Sequence, residues 1–239
     1  MDNDSAPDDN SKRTALVTGG SRGLGRALAT RLAGDGWRVV VDGRDAARLA
    51  AAVTTMPGDV TAVPGDVSDP AHRRRVAAAV GTDGLDLLVN NASILGPSPQ
   101  PRLAEYPLEA LAEVYAVNVV APLALLQLLL TPLQRRRGTV VDVSSDAAVE
   151  AYESWGGYGS AKAALDQVTA VLAAEHPELS VYAFDPGDMR TELQQQAFPG
   201  EDITDRPEPD SVLPALLRLL GRDLPSGRYR AADLVAVTA

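Results

Sequence analysis

The chain contains no cysteine and only two histidines, His72 and His176. Disulfides and thiolate metal sites are therefore excluded, and the two imidazoles lie far apart in sequence with no ligand-like spacing. Both histidines are expected on the surfaces of helices. Lysine is equally scarce, because among 22 basic residues only Lys12 and Lys162 are lysines. Outside the first ten residues, asparagine occurs only at Asn90, Asn91 and Asn118. Aromatic residues make up 4% of the chain, with two tryptophans. No apolar run is read as reaching the ~18 to 20 residues of a membrane span, and the start, Met1-Asp-Asn-Asp-Ser, is the opposite of a basic, then apolar, leader. A formal charge of -10 argues against a nucleic-acid surface, which needs clustered Lys and Arg. Together these absences predict a cytoplasmic protein without a metal site.

What is present is 239 residues at 45% hydrophobic, enough to bury the core of one α/β domain. Residues 1–12 are polar and acidic and read as a disordered tail, leaving 13–239 as the domain. Short apolar runs at 14–18, 37–41, 60–63, 85–89, 139–143 and 179–184 read as strands, and a further strand is expected near 228–235. Helical patterns at 46–53, 70–80, 108–130, 158–175 and 211–220 alternate with them. About seven short strands separated by helices predict a parallel sheet covered on both faces. Residues 192–210 carry Pro199, Gly200, Pro207 and Pro209 without a strong period, which suits a lid over a site.

Three side chains carry the chemistry. Tyr158 and Lys162 are four residues apart on a helix and so share one face, where an ammonium favours the phenolate of a tyrosine that otherwise titrates near ~10. A packed tyrosine beside a solvated lysine is the plainer reading of such a pair. The near-total replacement of lysine by arginine elsewhere weighs against it, because a planar guanidinium is no substitute for a compact ammonium. Ser145 follows the 139–143 strand, at the carboxyl end where open α/β sheets bind ligands. Upstream, the first strand runs into Gly19-Gly-Ser21-Arg22-Gly23-Leu24-Gly25 and then a helix, an order that brings backbone N–H groups close to a phosphate.

With these residues on the page, the chain resembles the short-chain dehydrogenase/reductase family over residues 14–235. The ordered set is Thr18-Gly19-x-x-x-Gly23-x-Gly25, Asp66-Val67, Asn90-Asn91-Ala92, Asn118, Ser145, Tyr158-x-x-x-Lys162, and Pro186-Gly187 with Thr191. The resemblance implies a Rossmann-like doubly wound sheet and a nicotinamide cofactor. It implies that Tyr158 gives or takes the proton at a substrate oxygen and that Ser145 hydrogen-bonds that oxygen. Lys162 would bind the nicotinamide ribose, and Asn118 would hold a water on the proton path. Asp66 and Val67 would flank the adenine, Asn90 and Ala92 would line the cofactor, and Thr191 would meet its carboxamide or pyrophosphate end. Family members that prefer NADP(H) tend to carry bases where Arg22 and Arg44 stand, and the acid of NAD-preferring members falls at Gly43. NADP(H) is therefore expected ahead of NAD(H), with neighbouring Asp42 as a group that would weaken a 2′-phosphate site. One departure from the family is Ser93, where Asn-Asn-Ala-Gly is usual.

The implied reaction is hydride transfer between nicotinamide and a carbonyl or alcohol carbon, with ketone or aldehyde reduction expected. Leu95, Asp146, Val149, Glu150, Trp155, Asp188 and Met189 are expected to line the substrate pocket, Trp155 either stacking on a flat substrate or anchoring the core. Two other readings keep the fold: a non-redox lyase, epimerase or cyclase, and a cofactor-sensing binding protein. The latter has no need of a tuned phenol. A Ser160–Lys162 hydrolase lacks an oxyanion hole in the sequence. Family members commonly pair the two long helices, here 108–130 and 158–175, across a dimer axis, so a homodimer or homotetramer is expected.

Overall fold

Short runs, most of them rich in Val, Leu or Ala, form the strands of a single parallel sheet, seen in a computed structural model that describes residues 12–235. The expected tail lies outside the described residues except for Lys12, whose Nζ bonds Asp59 at 3.2 Å. The strands are β1 (Thr14–Val17), β2 (Arg38–Gly43), β3 (Asp59–Pro64), β4 (Leu87–Asn90), β5 (Thr139–Val143), β6 (Ser180–Asp185) and β7 (Gly227–Arg230), in the order β3-β2-β1-β4-β5-β6-β7. Every neighbouring pair is parallel. The order reverses direction between β1 and β4, and ligands bind outside the carboxyl ends at such a switch point.

Helices α1 (Gly23–Gly34), α2 (Ala46–Val53), α3 (Pro70–Val80), α4 (Leu108–Tyr115), α5 (Ala121–Arg136), α6 (Gly156–Glu175), α7 (Glu192–Ala197), α8 (Leu213–Leu219) and α9 (Ala231–Val235) complete the chain. Two apolar clusters sandwich the sheet, because alternate strand residues point to opposite faces. Leu28, Leu32, Val39, Val41 and Leu216 fill one layer; Val40, Val76, Leu88, Leu125 and Leu129 fill the other.

Several expectations change. His72 is no surface residue: it is wholly buried on α3, with Nε2 3.1 Å from Asp42 Oδ2. Gly65 makes the room, since a Cβ there would meet His72 Nδ1 at 2.3 Å. The long helix expected at 108–130 is α4 and α5 joined by a π turn over Ala116–Val120, and it runs on to Arg136. By length and composition it is apolar enough to cross a membrane, contrary to the reading of the sequence. Part of its composition goes to packing, as Val117, Ala121, Leu125, Leu129 and Leu133 enter the core. Residues 192–210, expected to form a lid, begin with α7, which was not anticipated. The last strand is shorter than expected, with α9 taking over at Ala231.

Candidate active site

The loop after β1 is shaped for a bulky anion. Gly19 and Gly23 sit at φ of +69° and +54°, and a Cβ on Gly25 would lie 2.4 Å from Asn91 Nδ2 and 2.5 Å from Gly19 O. Only glycine fits there. Helix α1 then starts with no side-chain cap and no acidic residue in its first turn, so its N–H groups and positive end remain available. The loop is pinned from two sides: Gly19 N donates to Asp42 Oδ1 at 2.7 Å, and Asn91 Nδ2 donates to Thr18 O at 2.8 Å. Asp42 thus spends its carboxylate inward, on the loop and on His72, rather than on a ribose.

Ser21, Arg22, Arg44, Asp66 and Val67 line one end of a cleft of about 660 Å³. Burial lowers the Arg22 pKa, and the charges of Arg48 and Arg44 lower it further, so three guanidiniums converge there. Burial pushes the Asp66 carboxyl up, but hydrogen bonds from Ser68 and the charge of Arg44 more than offset it and leave the pKa low. A Cβ on Gly43 would meet Ser21 Oγ at 3.3 Å, which leaves an acidic side chain at that position little room.

At the other end, β5 delivers Ser145 and α6 delivers Tyr158 and Lys162. The Lys162 ammonium lies 5.5 Å from the Tyr158 ring centroid and donates to Val143 O at 2.6 Å. Burial pulls the Lys162 pKa down to about 8, opposed by the charges of Asp142 and Asp166. Asp142 itself is raised by burial, and it accepts from Thr169 Oγ1 and Asn90 Nδ2, each at 2.7 Å. Burial also raises the Tyr158 phenol well above its ordinary range. Ser93 Oγ is buried in the same site and has no hydrogen-bond partner. Ser145 Oγ donates to Asp146 Oδ1 at 2.9 Å, and Tyr152 Oη donates to Asp146 Oδ2 at 3.0 Å.

Most of the sequence-predicted set comes together. Gly19, Gly23, Leu24, Ala92, Ser145 and Tyr158 line the cleft, as do Asp146, Trp155, Pro186, Gly187, Asp188, Met189 and Thr191. Lys162 and Asn118 lie just beneath, 2% and 1% exposed. The Asn118 amide is spent on Ile94, accepting from its N and donating to its O, both at 2.9 Å, which ties the π turn to the β4 loop. Asn90 faces Asp142 instead of the cleft, and Asn91 takes its place in the lining. Three expected pocket residues are elsewhere. Leu95 is buried against Ala147 and Tyr158, while Val149 is 63% exposed and Glu150 is also at the surface, neither lining the cleft. The sequence reading missed Asp142, Arg48 and Glu192, and only the repeated Asn90-Asn91 pair gave a signal for Asn91.

A family model described as short chain dehydrogenase matches residues 13–202. The chain belongs to the short-chain dehydrogenase family. Among curated relatives of this dehydrogenase, the rhamnolipids biosynthesis 3-oxoacyl-[acyl-carrier-protein] reductase of Pseudomonas aeruginosa is 40% identical over 174 residues, 68% of this chain and 66% of the relative. Mouse (Mus musculus) sepiapterin reductase is 33% identical over 199 residues, 76% of each chain. A putative short chain dehydrogenase from Pseudomonas syringae superimposes with a TM-score of 0.85 at 30% identity, covering 97% of this chain and 99% of that one. A short chain dehydrogenase from Shigella flexneri complexed with NADP gives 0.84 at 27% identity, covering 92% and 97%. This dehydrogenase has features that fit such a ligand: an uncapped helix end, a glycine cradle, Arg22 and Arg44, and two buried hydroxyls lining the cleft without partners, Ser93 Oγ and Ser144 Oγ.

Proposed function

We propose that this dehydrogenase is an NADP(H)-dependent reductase of a ketone or aldehyde. The observation that carries the reading is a buried phenol, held protonated, beside a buried ammonium in a cleft whose far end is lined by Arg22 and Arg44. Arg22 and Arg44 would hold a 2′-phosphate, and the open end of α1 would hold the pyrophosphate. When bound, NADP(H) supplies the hydride donor or acceptor.

The chain's own residues manage the proton. Tyr158 donates it to the carbonyl oxygen, and Lys162 offsets the negative charge left on the phenol. Ser145 steadies the same oxygen once its hydroxyl turns from Asp146 to the substrate. Trp155, in edge contact with the Tyr158 ring at 6.0 Å, walls the site beside the phenol. NADP bound to the Shigella structure and the reductase activities named for two relatives support the direction and the cofactor. The charge and composition support a cytoplasmic location.

The test is calorimetry with NADPH and NADH, followed by NADPH oxidation against a panel of ketones, aldehydes and 3-oxoacyl thioesters. Tighter binding of NADPH and carbonyl-dependent oxidation are expected. Tyr158→Phe should abolish oxidation while leaving NADPH binding within about twofold. Full turnover in Tyr158→Phe would sink the assignment.

A further inference from the structure

One carboxylate bridges the arginines at the phosphate end of the cleft. Glu192 is the first residue of α7 and follows Thr191, which lies against the glycine loop 3.5 Å from where a Cβ on Gly23 would be. Glu192 Oε1 accepts from Arg48 Nη1 at 2.7 Å, and its Oε2 accepts from the Arg22 guanidinium. Arg22 belongs to the loop before α1 and Arg48 to α2, so three segments distant in sequence meet on one side chain. Arg44 stands close enough to repel Arg22. Without an anion, these cations would push one another apart, and Glu192 relieves that repulsion.

We infer that Glu192 tempers the preference for NADP(H): its carboxylate occupies the arginines that a 2′-phosphate requires, and the phosphate must displace it. This rests on the NADP(H) reading above. A phosphate monoester carries roughly -1.5 to -2 charges and three acceptor oxygens against the single charge of a carboxylate, so it wins the competition. It cannot share the arginines with Glu192 without like-charge repulsion. A 2′-hydroxyl has no charge with which to compete, so NADH leaves Glu192 in place. Arg48 becomes a third cation available to the phosphate once the carboxylate departs. The three side chains are each 41 to 51% exposed, so the competition is modest in size and sensitive to salt.

The experiment is titration calorimetry of wild type and Glu192→Gln with NADPH, NADH, 2′,5′-ADP and 5′-ADP at low and high salt. Glu192 lies on the surface, so the variant should fold as wild type does. NADPH and 2′,5′-ADP should bind Glu192→Gln about two- to tenfold more tightly, NADH and 5′-ADP should be unchanged, and the gain should shrink as salt rises. Equal changes for all four nucleotides, no change, or weaker NADPH binding would overturn the inference. Wild-type protein that prefers NADH would sink the cofactor reading and this inference together. Wild type that prefers NADPH, with a variant no different, would sink this inference alone.

Discussion

Lys162 holds its proton by a narrow margin. Its pKa of about 8 in the fold stands against 10.5 for an unperturbed lysine, and burial is the main cause. Between those values the unfolded chain binds the proton and the folded chain does not, so this residue's contribution to stability rises with pH across that window. The chemistry proposed above runs the other way. Once the ammonium is lost, nothing offsets the charge left on Tyr158 after it donates. Carbonyl reduction should therefore fall as pH rises through about 8, and Lys162→Met should lower the rate by about 10²-fold and remove that limb of the profile. A wild-type profile flat to well above pH 8 would contradict this.

At the scale of elements, the sequence made the βα alternation plain because buried strands must be short and apolar and their helices periodic. It misplaced His72 because a histidine on a helix shows nothing of the glycine across from it, and here Gly65 opens the space that buries the ring. The candidate residues Tyr158, Lys162 and Ser145 were legible for a different reason, since scarcity and spacing isolate them. Glu192, Arg48 and Asp142 were not, because each acts through partners far away in sequence, such as Arg22 for Glu192 and Asn90 for Asp142. The same holds for β7. Arg228 donates to Asp166 Oδ2 at 3.0 Å, Asp185 Oδ2 at 3.1 Å and Ser145 O at 2.8 Å, so the edge strand clamps the end of the strand that bears the serine. Arg228→Met would leave two little-exposed carboxylates without their cation. A loss of about 2–3 kcal/mol, read as a lower urea midpoint, is expected, and an unchanged midpoint would show the clamp to be slack.

At the scale of the molecule, the helix from Leu108 to Arg136 poses a question that its inner face does not answer. Only 44% of its most apolar window is buried, although the whole helix is apolar enough to cross a membrane. Val120, Leu123 and Leu128 remain exposed on it, Leu108 is exposed at its start, and Val171 is exposed on α6. We propose that a second copy of the chain covers this face, since exposed apolar surface on a core helix is what a subunit contact would bury. A membrane span would require the inner face to leave the sheet, and with it Asn118 to leave Ile94. We expect a homodimer or homotetramer by light scattering. Leu128→Glu combined with Val171→Glu should give a monomer, because each copy would bring like charges into the contact and bury them. A wild-type monomer, or a variant that stays assembled, would place the subunit contact on another surface and return these side chains to the ordinary apolar exposure of a single chain.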